Sequence, residues 1–233
     1  MAKALLQYPT MPFEYDVVRA RRKTLAIHVK GGKVTINSPL KASVSWISEF
    51  VSDNSAWIQG KIKDQLKKER EVLVLADGRA VPFLGQPRQL KVVVASRAKV
   101  QLGAEQLVVH TPSRDKLEKV WGNWLLERAR EYMTTQTIKT AKAMGLDHKL
   151  KDVVFRKTRS KWGHCEDNGM IQFNPIVMMA PRAVIDYLIV HEVSHLRHLD
   201  HSPRFWKTVS TLCPDWKKHK EWLNLNGHKL WTR

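Results

Sequence analysis

Four histidines fall close together at positions 191, 195, 198 and 201, and Glu192 directly follows the first of them. Imidazole is a common ligand of divalent transition metals. On an α-helix, residues four apart project from one face a turn apart, so His191 and His195 can present ring nitrogens to a single ion. The run His191-Glu192-Val193-Ser194-His195 is the HExxH pattern of zinc hydrolases. Glu192 is rotated about 100° around the helix from His191 and so flanks the ion without completing its coordination. That is the place for a general base acting on the water that zinc activates.

A catalytic zinc takes three protein ligands and keeps one position open. If the helix continued to His198, that residue would lie about 10.5 Å further along the axis than His191, too far for both to reach one ion comfortably. The third ligand should therefore come from outside the helix, with His198 on the surface or supporting a ligand from behind. The helix is expected to end near 199–200, and Ser202 and Pro203 have the character of an N-cap and first position of a new one. His201 then sits on the bend between two rigid elements, free to turn back. The spacing HExxHxxxxxH is that of the three metzincin histidines, with His198 where those enzymes carry glycine. Glu221, on a helix expected over 216–225, competes for the same role. A histidine-rich surface helix without metal is the plain alternative.

The elements that must hold these residues can be read from periodicity. Residues 13–20, 24–29 and 34–37 read as strands, the last two joined by a turn at Gly31-Gly32. Helical spacing follows over 43–68: Val44, Ile47, Phe50 and Val51 form one stripe, and Trp57, Ile58, Ile62 and Leu66 another. Strands are expected at 71–75, 81–84, 90–95, 99–102 and 106–110, then a long helix to about Met144, with Gly145 as its stop. Further strands at 152–157 and 170–174 precede the histidine helix, whose first turn Pro181 suits. The expected fold is α+β, divided near residue 112: a β-rich N-terminal region with two helices over 1–111 and a catalytic domain over 112–233.

The bulk numbers narrow the partners. Forty Lys and Arg against 22 Asp and Glu give a formal charge of +18, which favours polyanions such as nucleic acid or nucleotides. Arg19, Arg21, Arg22, Lys23 and the run 61–70 are candidate phosphate contacts or simply solvated faces. No apolar run approaches the roughly 20 residues that a membrane span needs. The opening stretch lacks an apolar signal-peptide core and a cleavage site. Two cysteines, Cys165 and Cys213, make no disulfide framework, and a reducing cytoplasm is the expected compartment.

The histidine segment, taken with SKWGHC (160–165), IQFNPIVMMAP (171–181) and HSPRFW (201–206), resembles the YgjP-like metal-dependent hydrolases, which in turn resemble SprT-like zinc metallopeptidases. RRKTLAIHV (21–29), Trp57-Ile58, DGRAVPFLG (77–85) and CPDW (213–216) extend the resemblance over almost the whole chain. It implies Zn2+ on His191, His195 and His201, Glu192 as catalytic acid/base, and a zincin-like α+β domain behind a small β-rich region. The segment 160–165 would lie beside the active-site helix, which makes Lys161 and Trp162 candidate substrate contacts. Here Lys161, His164 and Asp200 replace the family's usual arginine, serine and asparagine. A lysine does not reproduce a bidentate guanidinium. The implied substrate is a peptide or protein. Two alternatives come with the resemblance: a metal-dependent pyrophosphatase acting on nucleoside triphosphates such as UTP, and a DNA-associated protease or nucleic-acid-binding protein with a structural zinc. The sequence does not set the oligomeric state.

Overall fold

The computed structural model describes residues 11–158 and 160–232. The first ten residues, on which the reading of the opening stretch rests, lie outside them. The chain forms two compact units, the first ending at Glu71 and the second beginning at Val72.

The first unit holds strands β1 (Tyr15–Ala20), β2 (Ala26–Lys30) and β3 (Lys33–Pro39) and helices α1 (Val44–Asp53) and α2 (Ser55–Arg70). The Gly31-Gly32 turn works as expected: both glycines have positive φ, and β2 and β3 pair antiparallel across it. Strand β3 is central, with β1 parallel on its other side. Val34 and Ile36 from β3 meet Ile47, Val51 and Ile58 from the helices in a small separate core. Ser43 caps α1 by accepting from the Trp46 amide at 3.1 Å.

The second unit opens with β4 (Ala80–Phe83), β5 (Gln86–Val94), β6 (Lys99–Leu102) and β7 (Gln106–Thr111) in the order β4-β5-β7-β6. Val81, Phe83, Leu90, Leu107 and Val109 belong to the same core as Trp121 and Trp124 of the long helix α3 (Leu117–Ala143). The division therefore falls forty residues earlier than the sequence suggested, because this sheet buries its apolar face under α3 instead of closing a core with the N-terminal strands. Residues 71–75 also differ from expectation: Leu73 makes only an isolated bridge to Thr232.

A third sheet, β8 (Asp152–Phe155), β9 (Gly163–Cys165) and β10 (Met170–Phe173), has the order β8-β10-β9. Helix α4 (Arg182–His195) then runs through the core with Val184, Ile185, Leu188, Ile189 and Val193 all buried. Helices α5 (Pro203–Leu212) and α6 (Trp216–Asn226) complete the unit. No helix among the described residues is long and apolar enough to cross a membrane.

Candidate metal centre

Helix α4 stops at His195, earlier than the expected 199–200. The cause is local. The His195 ring takes the His198 backbone carbonyl at 2.9 Å, and the Arg197 and His198 amides both fold back to the Ser194 carbonyl at 3.1 Å. A carbonyl can only accept, so His195 Nδ1 carries the proton and Nε2 is left as a lone-pair donor. His198 is thus kept out of the site, though not by its distance along a helix. It lies beyond the helix end, and its backbone orients a neighbour.

The bend 196–202 turns the chain back. Ser202 caps α5, its hydroxyl accepting from the Phe205 amide at 3.5 Å, with Pro203 in the first turn. This carries His201 to His191, their Nε2 atoms 3.2 Å apart. One nitrogen from each of His191, His195 and His201 lies within 4.8 Å of the others. A tetrahedral ion with ligand nitrogens at about 2.0–2.1 Å needs them about 3.4 Å apart, so the His191–His201 pair already has the right separation. The three imidazoles suit a borderline-soft divalent metal. Glu221 is exposed and belongs to no such group among the described residues.

Phe205, fully buried on α5, forms the floor. Its ring centroid lies 5.0 Å from that of His191, 4.4 Å from His195 and 4.9 Å from His201. Burial is the leading reason that the His191 imidazole is pushed down to about 3, with the other two rings and Lys220 adding to it. Burial also lowers His195. Both rings are thereby held neutral, the form that binds a metal.

Glu192 is 4% exposed. Burial pushes its carboxyl up to about 8, against the opposing pull of the Lys161 ammonium. Edge strand β9 lies alongside: a Cβ added at Gly163 would stand 2.7 Å from Glu192 Cγ and Cδ. Only a residue without a side chain allows this approach. The strand was not legible in SKWGHC, which is too short to show alternation.

Strand β10 is central in its sheet, flanked by β8 and β9. The free edge nearest α4 belongs to β9. Lys161, just before β9, is exposed and faces Glu192 electrostatically. Trp162 is half-buried, its indole packed toward Trp231 at 5.8 Å and closing on Gly227. Cys165 is buried and its thiol is pushed up to about 12. In the first unit, the Arg19 guanidinium donates to the carbonyls of Leu40 and Ala42, at 3.0 and 2.9 Å, which ties it to the fold.

A model of the YgjP-like metallopeptidase domain matches residues 23–226. The chain belongs to the YgjP-like family. Its membership agrees with the resemblance carried by the motifs and supports a metal-dependent peptidase in general terms. Among solved structures, the crystal structure of the metallopeptidase zymogen of Pyrococcus abyssi abylysin covers 43% of this YgjP-like chain and 97% of its own, at 19% identity and a TM-score of 0.37. That superposition is too loose to carry an argument. No curated protein matches the chain significantly.

Proposed function

We propose that this chain is a zinc-dependent metallopeptidase with a zincin-like catalytic unit, in which His191, His195 and His201 hold the ion and Glu192 is the catalytic acid/base. The observation that carries the reading is the convergence of three imidazole nitrogens beside one buried carboxyl. When bound, zinc polarises a carbonyl oxygen and makes water acidic enough to attack near neutral pH.

The protein residues do the rest. His195 keeps its Nε2 turned inward because its Nδ1–H is held by the His198 carbonyl. Phe205 closes the back of the site to water. Glu192 accepts a proton from the attacking water on one of its carboxylate oxygens and returns it to the leaving amine. A carboxyl raised by burial, and pulled back by the Lys161 ammonium and by a divalent ion when one is bound, can serve both duties near neutral pH. Gly163 lets that carboxyl stand against the backbone of β9, and the free edge of β9 can pair with an extended peptide. Lys161, exposed and close enough to act on Glu192, supports a role in meeting substrate carbonyls. The two free cysteines fit a reducing, cytoplasmic compartment.

The test is Glu192→Gln. The variant should keep one zinc per chain while cleavage of an unfolded polypeptide falls at least about 10³-fold. Retained cleavage would remove Glu192 from the mechanism. Parallel incubation of the zinc-loaded wild type with nucleoside triphosphates separates the bond classes. Glu192-dependent hydrolysis of triphosphates alone would replace the peptidase reading with the pyrophosphatase.

A further inference from the structure

Beside the three imidazoles stands a shelf that the chemistry above does not use. Trp206 of α5 and Trp216 of α6 stack face to face, centroids 3.9 Å apart at 14°. The Trp206 ring lies 5.6 Å from that of His191 and 5.7 Å from that of His201, so the shelf abuts the proposed metal site. Lys220 lays its ammonium over it, with Nζ 4.7 Å from the Trp206 centroid and 5.9 Å from that of Trp216. The rings hold the lysine in place through cation–π attraction.

The stack seats the lysine but does not neutralise its charge. Lys220 is exposed, and no carboxylate among the described residues lies within ion-pair distance of it. A fixed cation next to a divalent ion is repelled by it, and its field already opposes charge on His191. An anion bound between the two would reverse the sign of that interaction, and no carboxylate among the described residues forms an ion pair with Lys220 to fill that role. One extended residue spans about 3.3–3.6 Å, so the shelf is within reach of a group one or two residues from a bond held at the imidazoles.

We propose that Lys220, seated on the Trp206–Trp216 stack, is a specificity-determining residue that takes a peptide carboxylate flanking the scissile bond. The proposal rests on the peptidase reading of the same site. The carboxylate has two sources, an Asp or Glu side chain or the free C-terminus of a short peptide.

The test uses the full-length, zinc-loaded Glu192→Gln chain, which binds without turnover, and follows intrinsic tryptophan fluorescence. The probes are an amidated decapeptide with one central Glu, its Gln and Lys counterparts, and the Gln peptide with a free C-terminal carboxylate. Binding should be about tenfold tighter for the Glu peptide or the free-carboxylate peptide, and which of the two identifies the source. Adding Lys220→Gln should abolish the preference, Lys220→Arg should keep it, and Lys220→Glu should turn it toward the Lys peptide. Zinc content and melting temperature should match the parent in all three. Equal binding of all probes by the parent, or a preference that survives Lys220→Gln, overturns the proposal. Cleavage of the same probes by the chain with Glu192 intact reads the peptidase assignment separately. Lys220-dependent binding without cleavage refutes the peptidase and leaves the subsite, whereas cleavage without carboxylate preference removes only the subsite.

Discussion

Gly163→Ala is the most pointed test of how Glu192, the proposed general base, is held. The added Cβ would stand 2.7 Å from Glu192 Cγ and Cδ, where ordinary carbon–carbon contacts lie at about 3.5–4.0 Å. One side must give by about 1 Å. Strand β9 is hydrogen-bonded to β10 with Gly163 opposite Phe173, a fully buried ring, so the backbone is the stiffer partner and the carboxyl moves. A misplacement of this size costs about 10²-fold in kcat/KM. Overpacking of a buried site adds about 1–3 kcal/mol of destabilisation. The assay is kcat/KM on an unfolded polypeptide, with zinc content by elemental analysis and stability by urea unfolding. Zinc should stay bound, because the three atoms nearest the added Cβ all belong to Glu192 and none to an imidazole. The stability loss should shrink toward zero in a Glu192→Ala background, where the obstructing atoms are gone. Wild-type kcat/KM in Gly163→Ala, or loss of zinc together with activity, would refute the reasoning.

Other consequences follow from the same geometry. His201→Ala should lower zinc affinity by at least about 10²-fold in a competition titration, while Glu221→Ala leaves it unchanged; the opposite result would exchange the third ligand. In the metal-free protein, His191 stays neutral down to about 3 when folded but protonates near 6.5 when unfolded, whereas buried Glu192 keeps its proton up to about 8 when folded and loses it near 4.5 when unfolded. Urea midpoints should therefore be highest at about pH 4.5–6.5 and fall on both sides, the alkaline fall disappearing in Glu192→Gln; a midpoint still rising through pH 8 would contradict this. Cys165, buried with its thiol pushed up to about 12, should resist iodoacetamide at pH 7.5 in the folded chain and react on unfolding, as mass spectrometry will show.

The chemistry-bearing residues were more legible than the surfaces around them. His191 and His195 reveal themselves through helical spacing, and Ser202-Pro203 marks the bend that brings His201 back. Those signals are local, carried within a single turn of helix or one cap. Gly163, Phe205 and Lys220 matter through contacts made across elements, which no window of sequence displays. The early end of α4 was hidden for a related reason: the imidazole of His195 competes for a carbonyl three residues on, and propensity does not register a side chain closing its own helix. The division near 112 failed because strands β4 to β7 advertise their apolar faces but not the partner that covers them. In the same way, 71–75 has the composition of a strand but finds only one bridge.

The three sheets share one habit of pairing. Each takes an interior strand last: β3 joins β1, β7 joins β5 and β10 joins β8, always in parallel, with the remaining strand of the hairpin on the outer edge. As the chain is synthesised from its N-terminus, no sheet can close until its final strand has emerged. The third sheet closes at Phe173, nine residues before α4 begins. His191, His195 and His201 therefore leave the ribosome after the strands of all three sheets, but before Phe205 of α5 and the whole of α6. The surroundings of the three imidazoles are thus completed only by the last two helices of the chain.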